Sequence, residues 1–211
     1  MKTLLITILL SAVTLSAYAK AEQTIYYHSV TKSDTTRIKW IESETENGRR
    51  VTITIGSQVT VIESDRNYVT TGCHITDRAA GTDVTISLSS GKYILRGTFR
   101  NKVCHLERQS AGRLWVQNIS YSVGHLVHWK GNFEYECFRP DNLEFSEMQA
   151  SDKGMTSFRG ERVRDIKISP SGLKAAFWSC HYYLDDDWRY VAYRGVNGGP
   201  GTSETIMYRV Q

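Results

Sequence analysis

Asn47-Gly48-Arg49-Arg50-Val51-Thr52-Ile53-Thr54-Ile55 is the stretch that decides the fold class. Asn-Gly is the pair favoured by the type I′ turn that joins two antiparallel strands. The run after it alternates, with Val51, Ile53 and Ile55 on one phase and Thr52 and Thr54 on the other. Side chains along a strand point alternately to opposite faces, so this run buries one face and wets the other, as antiparallel sheets do. One-sided burial also fixes register, because a slip of one residue would carry every apolar side chain into water.

The same pattern recurs on both sides. Val69, Thr71, Cys73 and Ile75 share a phase, and Val84, Ile86 and Leu88 alternate with Thr85 and Ser87. Phe133, Tyr135 and Cys137 alternate with Glu134 and Glu136, which places both glutamates on the wet face. Trp178, Cys180, Tyr182 and Leu184 form a further face. Turn marks at Gly81, Ser90-Gly91, Gly112, Gly131-Asn132, Gly154, Gly160 and Ser171-Gly172 separate the runs, a rhythm typical of β-meanders, sandwiches and barrels. Phe177 to Leu184, a turn at Asp185-Asp186-Asp187, Trp188 to Arg194, a wide turn at Asn197-Gly198-Gly199-Pro200-Gly201, and Thr205 to Val210 read as a three-strand meander. No later segment carries a sustained helical stripe; Pro140-Asp141-Asn142-Leu143 suits either a short helix start or a turn.

The N-terminus reads differently. Lys2 precedes an apolar run, Leu4 to Val13, and Ala17-Tyr18-Ala19 supplies a small-x-small cleavage site. Residues 1–19 therefore read as a secretory signal peptide, and 20–211 as a single β-rich domain. The run is shorter than the roughly twenty apolar residues a membrane span requires, and no later segment is apolar enough to cross. Export places the mature protein in the periplasm or outside the cell. The chain carries 26 Lys plus Arg against 22 Asp plus Glu with no basic run, which argues against nucleic acid as partner. With 11% aromatic and 23% charged residues the composition is that of a folded domain.

The C-terminal third carries a resemblance. Phe177-Trp178-Ser179, Tyr182-Tyr183, the acidic turn, Arg189-Tyr190, Tyr193-Arg194-Gly195 and Gly198-Gly199-Pro200-Gly201-Thr202 resemble the end of an exported bacterial family, domain-of-unknown-function family 3108. Gly81-Thr82-Asp83 and Arg139-Pro140-Asp141-Asn142-Leu143 are similar as well. The resemblance implies an architecture and no activity: a curved antiparallel sheet similar to the open half-barrels of periplasmic lipoprotein carriers.

Cys73, Cys104, Cys137 and Cys180 are disulfide candidates in an exported chain, with three possible pairings. As unpaired residues they would be small buried hydrophobes. They contain no CxxC, so no structural zinc site is indicated. No nucleophile elbow or phosphate loop is present, and Cys104-His105 would point to opposite faces of a strand. His125 and His128, read on a strand, would diverge too. The acidic turn offers hard oxygen donors but has the composition of a solvated hairpin turn. Asn118-Ile119-Ser120 matches a glycosylation sequon. No catalytic residue, metal or cofactor is assigned.

What remains is aromatic. Trp40, Trp115, Trp129, Trp178 and Tyr182 are the candidate ligand-binding residues, since rings with a polar tip suit the wall of a cavity that is apolar within and wet at its mouth. The same rings would equally fill a sheet core. The expected fold is all-β, a curved antiparallel sheet or half-barrel, with a short helix or loop over its open side. The leading function is a non-catalytic envelope protein holding a lipid or other apolar molecule in the concave face. A structural or protein-interaction module of the envelope is the alternative. A hydrolase or metalloenzyme would need two or more of His105, His125, His128, His181 and the acidic turn to converge in one cleft.

Overall fold

A computed structural model describes residues 22–32, 34–172, 175, 178–196 and 202–210. The leader read at 1–19 and the turn read at 197–201 lie outside the described residues. Eight strands follow one another as an antiparallel meander: β1 (Gln23–Thr31), β2 (Asp34–Thr45), β3 (Gly48–Ile55), β4 (Gln58–Asp65), β5 (Thr70–Asp77), β6 (Thr82–Ser89), β7 (Lys92–Phe99) and β8 (Lys102–Gln109). The chain then crosses to the opposite edge of the sheet. There it lays down β9 (Leu114–Trp115), helix α1 (Ile119–Lys130) and β10 (Phe133–Arg139), with β9 and β10 parallel. It returns through β11 (Glu144–Phe158), β12 (Glu161–Pro170), β13 (Cys180–Leu184), β14 (Tyr190–Val196) and β15 (Glu204–Val210), which pairs with β1. The result is one open sheet of fifteen strands, all-β apart from α1, with β8 and β9 at its edges.

The hairpin that decided the fold class is present, shifted by one residue. The turn covers Glu46-Asn47, and Gly48 is already paired with Thr45. Neither turn residue has the positive φ of a type I′ turn. Gly48 is needed for space: a Cβ there would meet the Ser64 carbonyl oxygen. Pro140 to Leu143 form a turn. The alternation holds in the middle of β3, β5 and β6, with Val51, Cys73, Ile75, Val84 and Ile86 buried, but Ile55 and Leu88 near the strand ends are exposed, and a register shift beside Gly72 buries Thr70 in place of Thr71.

The sheet rolls until its β9 edge lies over β5 to β7. Gln117 N–H donates to Thr70 Oγ1 (2.9 Å) across the roll, and Trp115 meets the Tyr93 ring edge-on at 5.4 Å. β10 is consequently buried on both faces: Tyr135 joins a core under α1, while Phe138 joins a second core with Trp115, Ile86 and Tyr93. This corrects the reading of Glu136, which has no exposed surface. Its Oε2 accepts from Tyr93 OH (2.9 Å), Ser110 Oγ (2.9 Å) and the Ala111 N–H (3.2 Å).

The four cysteines are free thiols, so the disulfide reading is not met in the structure. They stand on β5, β8, β10 and β13, no two of which are neighbours in the sheet. Burial pushes the thiols of Cys73, Cys137 and Cys180 each up to about 12, which makes them inert small core residues.

Candidate functional site

The helix that sequence reading missed builds the site. Its start is Asn118, the residue read as part of a sequon, whose Oδ1 accepts from the Tyr121 N–H (3.2 Å) as an N-cap. Val123, Leu126 and Val127 bury one face of α1 in the core. His128 and Lys130 occupy its last turn, where cations suit the helix dipole. Gly124 lets the helix settle on the β13–β14 turn, since a Cβ there would meet the Trp188 carbonyl oxygen. His128 packs on the Trp188 ring, 4.7 Å between centroids. That turn is tied locally: Asp185 Oδ1 accepts from the Asp187 N–H (3.0 Å) and the Arg189 N–H (2.8 Å). Asp185 in the acidic run is thus turn chemistry, its Oδ1 taken by the backbone of its own turn.

Between α1 and the inner face of the sheet lies a cavity of about 390 Å³. Its floor is Ile25 and Tyr27 from β1, Trp40 from β2 and Tyr190 from β14. The three rings are in contact, with centroids 5.6 Å apart for Tyr27 and Trp40 and 5.1 Å for Tyr27 and Tyr190. The helix contributes Ser120, Tyr121 and His125, and the β4–β5 turn contributes Tyr68. Asp65 shapes that turn, its Oδ1 accepting from the Asn67 and Val69 N–H groups while Tyr68 takes a positive φ of 65°. A non-glycine residue held there stores strain, and such residues gather at binding sites. Here the strain presents the Tyr68 ring flat against His125 (3.9 Å), with the Arg49 guanidinium 4.5 Å from its centroid.

The charged lining is Glu42, Arg49, Arg189 and Arg209. Burial raises the Glu42 carboxyl pKa, against a hydrogen bond from Trp40 and the pull of the three arginines. Burial, then Arg49, His128 and Arg189, push His125 down to about 4, so it is neutral at pH 7. Tyr27 and Tyr190 are pushed above their ordinary value by burial first, and remain hydroxyls. Trp40 Nε1 and Tyr190 OH, on residues only 5% and 8% exposed, make no hydrogen bond of good geometry, though Trp40 stands beside the Glu42 carboxylate and Tyr190 beside Ser120.

The candidate ligand-binding residues fall in different places. Trp40 lines the cavity. Tyr182 is buried in the adjoining core, against Tyr190 at 5.9 Å and Tyr193 at 5.1 Å. Trp178 packs on that core and donates from Nε1 to the Val196 carbonyl (2.8 Å). Trp115 sits in the second core, fully buried, and Trp129 is 61% exposed on the helix with Lys130 Nζ 4.2 Å from its ring centre. Sequence reading missed Tyr27, Tyr68, Tyr121, Tyr190 and the arginines. The missing signal was Val123, Leu126 and Val127, a short i, i+3, i+4 stripe behind a capping Asn.

The histidines do not share a cleft. His105 is exposed on the β8 edge, and His181 pairs with Asp165 on β12 (2.8 Å). His125 and His128 lie one helical turn apart, which corrects their reading as diverging strand residues. Among the described residues no group of three or more His, Cys, Asp or Glu side chains could hold a metal ion. No helix among them is long and apolar enough to cross a membrane.

A β-barrel-like protein of domain of unknown function DUF1849 from Brucella abortus is similar in structure, with a TM-score of 0.60 at 9% identity over 92% of this chain and 97% of that one. A putative outer membrane lipoprotein-sorting protein domain from Vibrio parahaemolyticus aligns over 90% of this chain and 84% of that one, at 9% identity and a TM-score of 0.37. The first shares the fold of this chain; at the second score the overlap does not define a common fold. No family model and no curated protein matches the sequence.

Proposed function

We propose that this protein is a non-catalytic binding protein of the cell envelope that holds an amphipathic small molecule between α1 and the inner face of its sheet. The observation that carries the reading is the cavity itself, about 390 Å³ with a floor of contacting aromatic rings and three arginines in its lining. The volume falls within the range of roughly 300–1,000 Å³ usual for small-molecule pockets. Tyr27, Trp40 and Tyr121 offer apolar faces to the body of a ligand, and the arginines offer charge to its polar end. The leader read at residues 1–19 supports work outside the cytoplasm.

The test is to purify the full chain from its native compartment and analyse an organic extract by mass spectrometry. A defined amphipathic species at near-stoichiometric yield is expected, and its loss in a Tyr121→Ala, Tyr68→Ala double variant. A blank extract, together with unchanged tryptophan fluorescence on adding amphiphiles, would sink the reading. The alternative, a protein-interaction module, calls for one exposed apolar patch. Val103 and Leu106 on β8 are 91% and 47% exposed, but residues three apart on a strand point to opposite faces, so they do not make one.

A further inference from the structure

We infer that the polar end of the ligand is an oxyanion, a carboxylate or a phosphate, received by the guanidinium groups of Arg49, Arg189 and Arg209. The inference rests on the cavity being a ligand site. Three cations reach it from three separate elements: Arg49 from β3, Arg189 from the β13–β14 turn and Arg209 from β15, the last in register with Tyr27. Against them the lining has one carboxylate, Glu42, and no ion pair within 4.0 Å joins it to any of the three among the described residues. Arg49 and Arg189 do touch carboxylates outside the lining, Glu44 at 3.4 Å and Asp187 at 3.5 Å. Both contacts are long beside the 2.7 Å pairs Arg50–Glu63, Arg139–Asp141 and Arg164–Asp152. Arg49 also donates to Tyr121 OH at 3.4 Å, from the same Nη1 that meets Glu44. A guanidinium has five N–H donors in a planar fork that matches carboxylate and phosphate oxygens, so these long contacts leave most of them for a ligand.

The neighbouring groups favour the same occupant. Trp40 Nε1 and Tyr190 OH, beside Glu42 and Ser120, are further donors in the same wall that an oxyanion can use. The charges of Arg49 and Arg189, which add to burial in keeping His125 neutral, also attract an anion. Glu42 is the one group that opposes it, and its raised pKa eases its protonation when an anion enters beside it.

The experiment uses the full-length chain freed of lipid, titrated below micelle-forming concentrations and followed by calorimetry and tryptophan fluorescence. The probes are octyl phosphate, octanoate, octyl glucoside, octyltrimethylammonium and inorganic phosphate. Octyl phosphate or octanoate should bind at least about tenfold tighter than the neutral and cationic probes, and whichever leads names the head group. Arg209→Gln and Arg49→Gln should each weaken the anionic probes about tenfold, the scale of one charge-assisted hydrogen bond, and leave octyl glucoside unchanged. Arg209 is exposed, so its variant keeps the test open if Arg49→Gln misfolds. Glu42→Gln should tighten the anions. Octyl glucoside binding as well as octyl phosphate, or arginine variants without effect, would overturn the oxyanion while leaving the cavity reading standing. No octyl compound binding would remove both. Inorganic phosphate matching octyl phosphate would support the anion and overturn the amphipathic ligand.

Discussion

The two ends of the rolled sheet enclose different interiors. Over β5 to β7 the interior is filled: Trp115, Ile86 and Phe138 are at most 1% exposed, and Tyr93 stacks on Phe145 at 3.8 Å. Even its polar groups are matched, with Glu136 Oε2 taking three hydrogen bonds and Gln117 exchanging two with the Phe138 backbone. Glu136 Oε1 is the exception, 4.0 Å from Arg108. Under α1 the interior is aromatic too, yet it keeps a cavity of about 390 Å³, and Trp40 Nε1 and Tyr190 OH in its wall make no hydrogen bond of good geometry. A chain that packs one end this closely is able to do so at the other. The difference marks the helix end as shaped for something besides stability.

The largest expected effect sets the filled end apart. Trp115→Ala should cost about 3–5 kcal/mol in chemical denaturation, whereas Trp40→Ala, beside existing empty space, should cost clearly less. Equal costs would break the comparison. Next come the hydroxyls. Tyr93→Phe removes a hydrogen bond to a buried carboxylate and should cost about 1.5–3 kcal/mol. Tyr190→Phe removes a hydroxyl whose polar neighbour is Ser120 and no carboxylate, and should cost clearly less, about 0.5 kcal/mol. Gly124→Ala drives a methyl against the Trp188 carbonyl; a loss of about 1–3 kcal/mol with altered fluorescence is expected, and an unchanged melting curve would show that the helix is not seated as described.

The smallest effect is a pH dependence confined to the helix end. His125 has an ordinary value of 6.5 and a folded one of about 4. Above pH 6.5 both folded and unfolded chains hold it neutral, and its contribution is complete. As pH falls from 6.5 to about 4 the unfolded chain takes up a proton that the folded one resists, so stability is lost across that window. For a half-buried group the loss should be about 1 kcal/mol after solvent screening. Glu42 works in the opposite sense, because its raised pKa lets the folded state gain from protonation first. Denaturation of the parent and His125→Gln between pH 4 and 7 checks this; identical slopes would deny His125 its place under the helix.

Legibility followed how local the physics was. The strands and the curved all-β class were readable because period two survives wherever only one face is wet, as in β3, β5 and β6. It failed at Glu136, whose strand is buried on both faces by a contact between edges far apart in sequence. The helix was hidden by composition: Ile119 to Lys130 mixes β-branched and aromatic residues with Gly124, all weak helix formers, and tertiary packing holds it. Of the tryptophans, Trp40 alone is in the cavity wall, since what separates it from Trp115 is the position of α1. The arginines were read as ordinary surface charge, which each of them is until three elements bring them together.

The seam between β1 and β15 bears on the order of assembly. It joins Tyr27 to Arg209 in register, so the first strand of the sheet must wait for the last before its free edge is covered. Pairings this distant in sequence are slow to form. Tyr27 and Arg209 both line the cavity, so its wall is complete only when this seam has closed. A chain cut before residue 204 keeps most of its strands but lacks Arg209 and the partner of β1. Ligand affinity therefore reports on closure of the seam.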